Sequence, residues 1–126
     1  MKNILIKTIP HSEHRYETVG DYQYDEEGNE TIDVSEMNNE DYEFLVCIHE
    51  LVESYLCKKR NISEESITAF DTDFEKNRAE GNTDEPGDDP NAPYRKEHFF
   101  ATTIERLMAA ELGVDWKTYD DTVVNL

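Results

Sequence analysis

The chain has 126 residues, and 30 acidic against 12 basic side chains give a formal charge of −18 at pH 7. One small domain suits that length. The charge argues against DNA or RNA polymers and anionic membranes as partners, because affinity for phosphate-rich surfaces comes from Lys and Arg; the same excess favours cations or basic partners. No apolar run approaches the ~20 residues of a membrane span. Met1–Lys7 holds only three consecutive apolar residues between charges, too few for a signal-peptide core. The expectation is a soluble, cytoplasmic protein.

The first third reads as strands. Ile4 to Ile9 is a short apolar run closed by Pro10. Thr18 to Tyr24 and Glu30 to Ser35 flank Glu26-Glu27-Gly28-Asn29, whose Gly28 and Asn29 suit a turn. Ile32 and Val34 alternate with polar neighbours, and Tyr22 and Tyr24 share a face, so these segments predict an antiparallel hairpin joined by the first strand. Asn38-Asn39-Glu40-Asp41 then supplies helix-start chemistry. Phe44, Ile48, Leu51 and Tyr55 form an apolar stripe at helical spacing, widened by Leu45, Val52 and Leu56. Lys58-Lys59-Arg60 ends that helix with the favourable sign, and Asn61 is a cap.

Cys47 and Cys57 lie about 15 Å apart along one helix at 1.5 Å per residue, beyond the roughly 7 Å that a disulfide spans. Free thiols suit a reducing cytosol. Ser63 starts a second helical segment through Ile67, Phe70 and Phe74 to about Arg78. Residues 80–93 hold three prolines, two glycines and five acids, which excludes regular structure. Tyr94 to Leu112 is helical again, with Phe100, Ile104, Leu107 and Met108 as its apolar stripe and Gly113 as its stop. A tail with Trp116, Tyr119, Val123 and Val124 can dock. The reading is thus one α+β domain over 1–126. It has a small N-terminal antiparallel sheet in about 2–36, two long helices near 40–60 and 94–112, and a shorter one near 63–78.

His49-Glu50-Leu51-Val52-Glu53 is the sharpest chemical pattern. His49 and Glu53, four apart, share a helix face with Glu50 between them, as the two metal-binding histidines and the water-activating Glu do in His-Glu-x-x-His zinc hydrolases. His98 on the last helix is a third ligand candidate, with Glu97 or Glu105 nearby. The blander reading has His49 bordering the core and hydrogen-bonding Glu53 or a partner on the last helix. Asp71-Thr72-Asp73 fails as a calcium loop, because Lys76 stands in place of the required Gly. Its flanking Phe70 and Phe74 read as core residues with solvated acids between them, or as a surface on which a flat base stacks.

His11 and His14 read as surface residues. Neither cysteine is placed at a helix start that would activate it, and no glycine-rich phosphate loop exists. A phosphorylated ligand would fall to arginines: Arg78, Arg95 at the start of the last helix, Arg106, and Arg60 within its basic cluster, with Asn91 reading a base or ribose edge. For Arg106 a salt bridge to one of the many carboxylates is the simpler expectation.

The order of Thr8-Ile9-Pro10-His11, Tyr16 to Asp21, His49 to Glu53, Ala69-Phe70-Asp71, Asp84 to Asp88, Tyr94 to Glu111 and Gly113 to Trp116 spans nearly the whole chain. In this order the chain resembles the first type of Thoeris anti-defence proteins, a family of small phage-encoded proteins. The resemblance implies a non-enzymatic, cofactor-free sponge in the cytoplasm of an infected bacterium. Such a sponge binds, without cleaving it, the cyclic ADP-ribose isomer (glycocyclic ADP-ribose) made by TIR-domain Thoeris enzymes, and so blocks effector activation. It also implies a homo-oligomer, a dimer or a hexamer built as a trimer of dimers. Cyclic di- and trinucleotides of CBASS defence are further partners.

The ligand set Asn91, Arg95, Arg106, Phe70, Phe74, His49, Arg60 and Arg78 rests on side-chain chemistry rather than on the resemblance. Two other readings compete. One is a metal-dependent hydrolase using His49, Glu53 and His98, with Glu50 as base. The other is an acidic DNA mimic that blocks a basic host protein, against which stands the spread of acids through every segment.

Overall fold

Asp25 and Gly28 close the hairpin: the Asp25 carboxylate accepts from the Glu27 and Asn29 amides, and Gly28 takes the positive φ of 85° that a side chain would strain. The computed structural model, which describes residues 2–126, then builds three strands, β1 (Ile4–Ile9), β2 (Gly20–Tyr24) and β3 (Glu30–Ser35). Four helices follow, α1 (Glu40–Lys59), α2 (Glu64–Lys76), α3 (Arg95–Glu111) and α4 (Trp116–Val124). This is an α+β domain.

β2 and β3 pair antiparallel, with Tyr22 opposite Ile32. β1 instead runs parallel to β3, from Ile4 opposite Glu30 to Ile9 opposite Ser35, giving the order β1-β3-β2. The sheet is therefore mixed rather than wholly antiparallel. The reason lies in residues 10–19, which are too many for a hairpin turn. They carry the chain across the end of the sheet, through a short 3₁₀ turn at His11–Glu13, to the far side of the position β3 will take. His11 and His14 are half-buried there, not surface residues, and both hydrogen-bond the buried Ser35 hydroxyl.

Helix ends follow their capping residues. The Asn39, Ser63 and Asp115 side chains accept from backbone amides of the first turns of α1, α2 and α4. Asn61 adopts φ 58° after the last turn of α1, where the Ile62 amide returns to the Cys57 carbonyl. Residues 80–93 are irregular except for one 3₁₀ turn at Pro86–Asp88. Cys47 and Cys57 are both free and buried. No helix among the described residues is long and apolar enough to cross a membrane.

Ile32, Val34 and Leu45, nearly inaccessible to solvent, form the centre of the core between the sheet and α1. The helical stripes divide: Leu45, Leu51 and Met108 pack inward as expected, and other members face outward. α1 buries Val46, Glu53 and Cys57, while Phe44 and Tyr55 are 44% and 52% exposed. α3 buries His98, Glu105 and Ala109, while Phe100 and Leu107 are 52% and 64% exposed. At 100° per residue, the exposed stripe of each helix lies opposite its buried face. The packed sides of α1 and α3 are rich in ionisable groups because those groups satisfy one another, as the site shows.

Candidate metal centre

α1 and α3 pack antiparallel, so Arg60 meets Glu97, Glu53 meets His98, and His49 meets Glu105. Along this seam runs one continuous hydrogen-bonded chain. The Tyr119 hydroxyl donates to Glu105 (2.6 Å), whose other oxygen meets His49 Nδ1 (2.8 Å). His49 Nε2 and His98 Nδ1 both meet Glu53 Oε2, at 3.0 and 2.9 Å. His98 Nε2 in turn reaches Glu85 (3.0 Å) and Asp88 (3.2 Å), from the loop before α3. His49, Glu53, His98 and Glu105 are all buried.

Two glycines make the packing possible. A Cβ at Gly20 would come 2.8 Å from Glu50 and from Val46, and one at Gly87 would fall on the His98 ring. Gly87 thus lets the acidic loop close directly over His98.

Electrostatics follows from this geometry. Burial opposes charge on both histidines, but the carboxylate hydrogen bonds outweigh it. They hold His49 well above the usual imidazole range and lift His98 to about 12. Burial would raise Glu53, yet the two imidazoles bring it down to about 2. The Glu50 carboxyl has no hydrogen-bond partner among the described residues; burial, then the neighbouring Glu53 charge, push it well above the usual carboxylate range. Asp71 is raised to about 7 by burial, against the hydrogen bond it accepts from Tyr94.

His49, Glu53 and His98 each offer one ligand atom, and the three lie within 4.8 Å of one another. Tetrahedral ligands at about 2.1 Å from zinc stand roughly 3.4 Å apart, so small side-chain shifts accommodate an ion. Two imidazoles and one carboxylate form a donor set that leaves an open position for water or substrate. A second set, Glu85, Asp88 and His98, lies at the loop and is more exposed.

The centre opens on a cavity of about 640 Å³, of the size small-molecule sites have. Glu50, Asp71, Tyr94, Arg78 and Arg106 are among its lining residues. The expected ligand residues divide. His49, Arg78 and Arg106 line the cavity; Asn91, Arg95, Arg60, Phe70 and Phe74 do not. Arg60 is bound to Glu97, and Arg95 lies over the Phe99 ring at 4.9 Å. Arg78 is held by Glu75 and by the Asp84 carbonyl. Arg106 has no carboxylate partner and stacks over Trp116 at 4.8 Å. Phe70 and Phe74 stack on each other, half-buried. Asp71 between them is buried rather than solvated, because its turn of α2 faces Tyr94.

The hydrogen bonds expected of His49 are present on both sides. Glu85, Asp88, Gly87, Tyr119 and the Asp71–Tyr94 pair were not legible in the sequence. For Glu85, Gly87 and Asp88 the one signal is the acid-rich loop, whose acids stand nine to eighteen residues ahead of His98. Comparison with protein-family models, with curated proteins and with solved structures gives no match to this chain.

Proposed function

We propose that this protein is a metal-dependent hydrolase centred on His49, Glu53 and His98, with Glu50 as general base. One observation carries the reading: each histidine aims one ring nitrogen into the cluster and has the other fixed by a carboxylate, His49 by Glu105 and His98 by Asp88 and Glu85. Such outer carboxylates orient metal-binding imidazoles and raise their basicity. A divalent cation such as zinc or manganese would supply Lewis acidity and lower the pKa of a water. Glu50, unpaired and facing the cavity, takes the proton of the attacking water and returns it to the leaving group as the scissile bond breaks. The purified chain should hold one zinc or manganese by elemental analysis, lost on chelation and in His98→Ala. Glu50→Gln should keep the metal and lose hydrolysis. A chain that neither retains nor binds either metal would overturn the reading.

Sequestration of a cyclic nucleotide is the second reading, supported by Arg78 and by Arg106 over Trp116 at the cavity. A sponge releases its ligand unchanged on heating, whereas a hydrolase releases products. For the homo-oligomer that the resemblance implies, the outer face of α1 and α3 is the proposed contact. Its apolar centre (Phe44, Tyr55, Phe100, Leu107) lies between a basic end at Lys58, Lys59 and Lys96 and an acidic end at Glu40, Asp41 and Glu111. A two-fold axis would set unlike ends together. Sedimentation of Leu107→Glu against the parent chain tests this, with an unchanged oligomer counting against it. Free Cys47 and Cys57 support a reducing, cytoplasmic setting.

A further inference from the structure

The sign of charge in the cavity identifies the class of substrate, given the hydrolase reading above. Among the described residues, twelve carboxylates line it, against three arginines and the His49 and His98 imidazoles. Two of those arginines are already committed, Arg15 to Asp21 and Arg78 to Glu75. A divalent ion at the centre leaves the wall strongly negative, and a concave site with low-dielectric walls concentrates that field. An anionic substrate is repelled there; a cationic one is drawn in.

Asp71 supplies a specific receptor for the cation. It is 7% exposed, one carboxylate oxygen accepts from the Tyr94 hydroxyl, and the other has no hydrogen-bond partner among the described residues. It stands on α2, away from the ligand-bearing helices, yet lines the same cavity together with Tyr94 and the half-buried Tyr16. A buried carboxylate with a free oxygen and two aromatic rings lining the same cavity suits an organic cation, which gains a charge-assisted hydrogen bond and contact with ring faces. Burial, and after it the Glu53 charge, raise Asp71 to about 7, a cost that a bound cation offsets. We propose that the cavity takes a substrate bearing an alkylammonium or guanidinium group, received at Asp71 while the bond to be cleaved lies at Glu50 and the metal centre.

Calorimetric titration of the zinc-loaded full chain tests this with three probes: spermidine for ammonium, agmatine for guanidinium plus ammonium, and AMP as the anionic counterpart. At least one cation should bind, more weakly as salt rises. Asp71→Asn should weaken it by about tenfold or more, whereas Glu26→Gln in the exposed hairpin turn should not. Tyr16→Leu should weaken it severalfold and carries the test should Asp71→Asn not fold. Tighter binding of AMP, absence of binding by both cations, or equal affinity in the parent and variant chains would overturn the proposal. Zinc stoichiometry, measured on the same samples, reports separately on the metal reading.

Discussion

The two sides of the α1–α3 layer reverse the usual division of labour. Toward the cavity the helices present His49, Glu50, Glu53, His98 and Glu105; away from it they present Phe44, Tyr55, Phe100 and Leu107. Water normally claims the charged side and the core the apolar one. Here the buried charges persist because they form one connected chain from Tyr119 to Asp88, with each histidine between carboxylates. The outer stripe makes no such demand. The difference teaches that burial in this protein follows hydrogen-bond completion as much as hydrophobicity, and that the unusual side is the chemically active one.

Breaking the polar side should cost most. Glu53→Ala leaves two imidazolium groups facing each other without their shared carboxylate, and truncating one partner of a buried ion pair costs about 3–5 kcal/mol. Chemical denaturation should show that loss in the metal-free chain, and zinc should not restore it. A smaller effect is expected on the loop that covers His98. Gly87→Ala presses a methyl onto the imidazole, a strain of about 1–3 kcal/mol, readable as a lower melting temperature and weaker zinc binding.

The pH dependence of stability belongs to the cavity side through His98, Glu53 and Asp71. His98 is raised from 6.5 to about 12, so its contribution is complete below pH 6.5 and disappears as pH rises toward 12. Glu53 is lowered from 4.5 to about 2, so its contribution is complete above pH 4.5 and disappears as pH falls toward 2. Asp71, raised from 3.8 to about 7, contributes fully below pH 3.8 and loses that contribution as pH rises through 7. The metal-free chain should therefore melt highest near pH 4–4.5. Asp71→Asn should flatten the decline between pH 4 and 7. A melting temperature that instead climbs from pH 5 to 8 in both chains would contradict these assignments. On the apolar side, Leu107→Gln should change monomer stability by no more than about 0.5 kcal/mol. A large loss at low protein concentration would mean that the outward stripe is packed after all.

Elements and their ends were largely legible. Asn39, Ser63 and Gly28 act locally, through a side chain and an amide a few residues away, and local chemistry survives without knowledge of the rest. The parallel pairing of β1 was not, because it depends on where residues 10–19 deliver the chain. His49, Glu53 and His98 could be proposed from helical spacing. Glu85, Asp88 and Tyr119 could not, since they reach the centre from a loop and a fourth helix. Helical periodicity turned Leu45, Leu51 and Met108 correctly toward the core, but it assigned Phe44, Tyr55, Phe100 and Leu107 inward as well, where the histidines and glutamates stand.

By itself the sequence determined the strands, the first three helices and the negative charge, all properties of residue type and short spacing, while the tail, read only as able to dock, forms α4. Tertiary structure decided which side of each helix is buried, which carboxylates meet which imidazoles, and which arginines reach the cavity. Those outcomes depend on long-range contacts between groups whose pairing removes the cost of burying them. The −18 charge thus gained a direction: part of it is folded inward, around a site suited to cations.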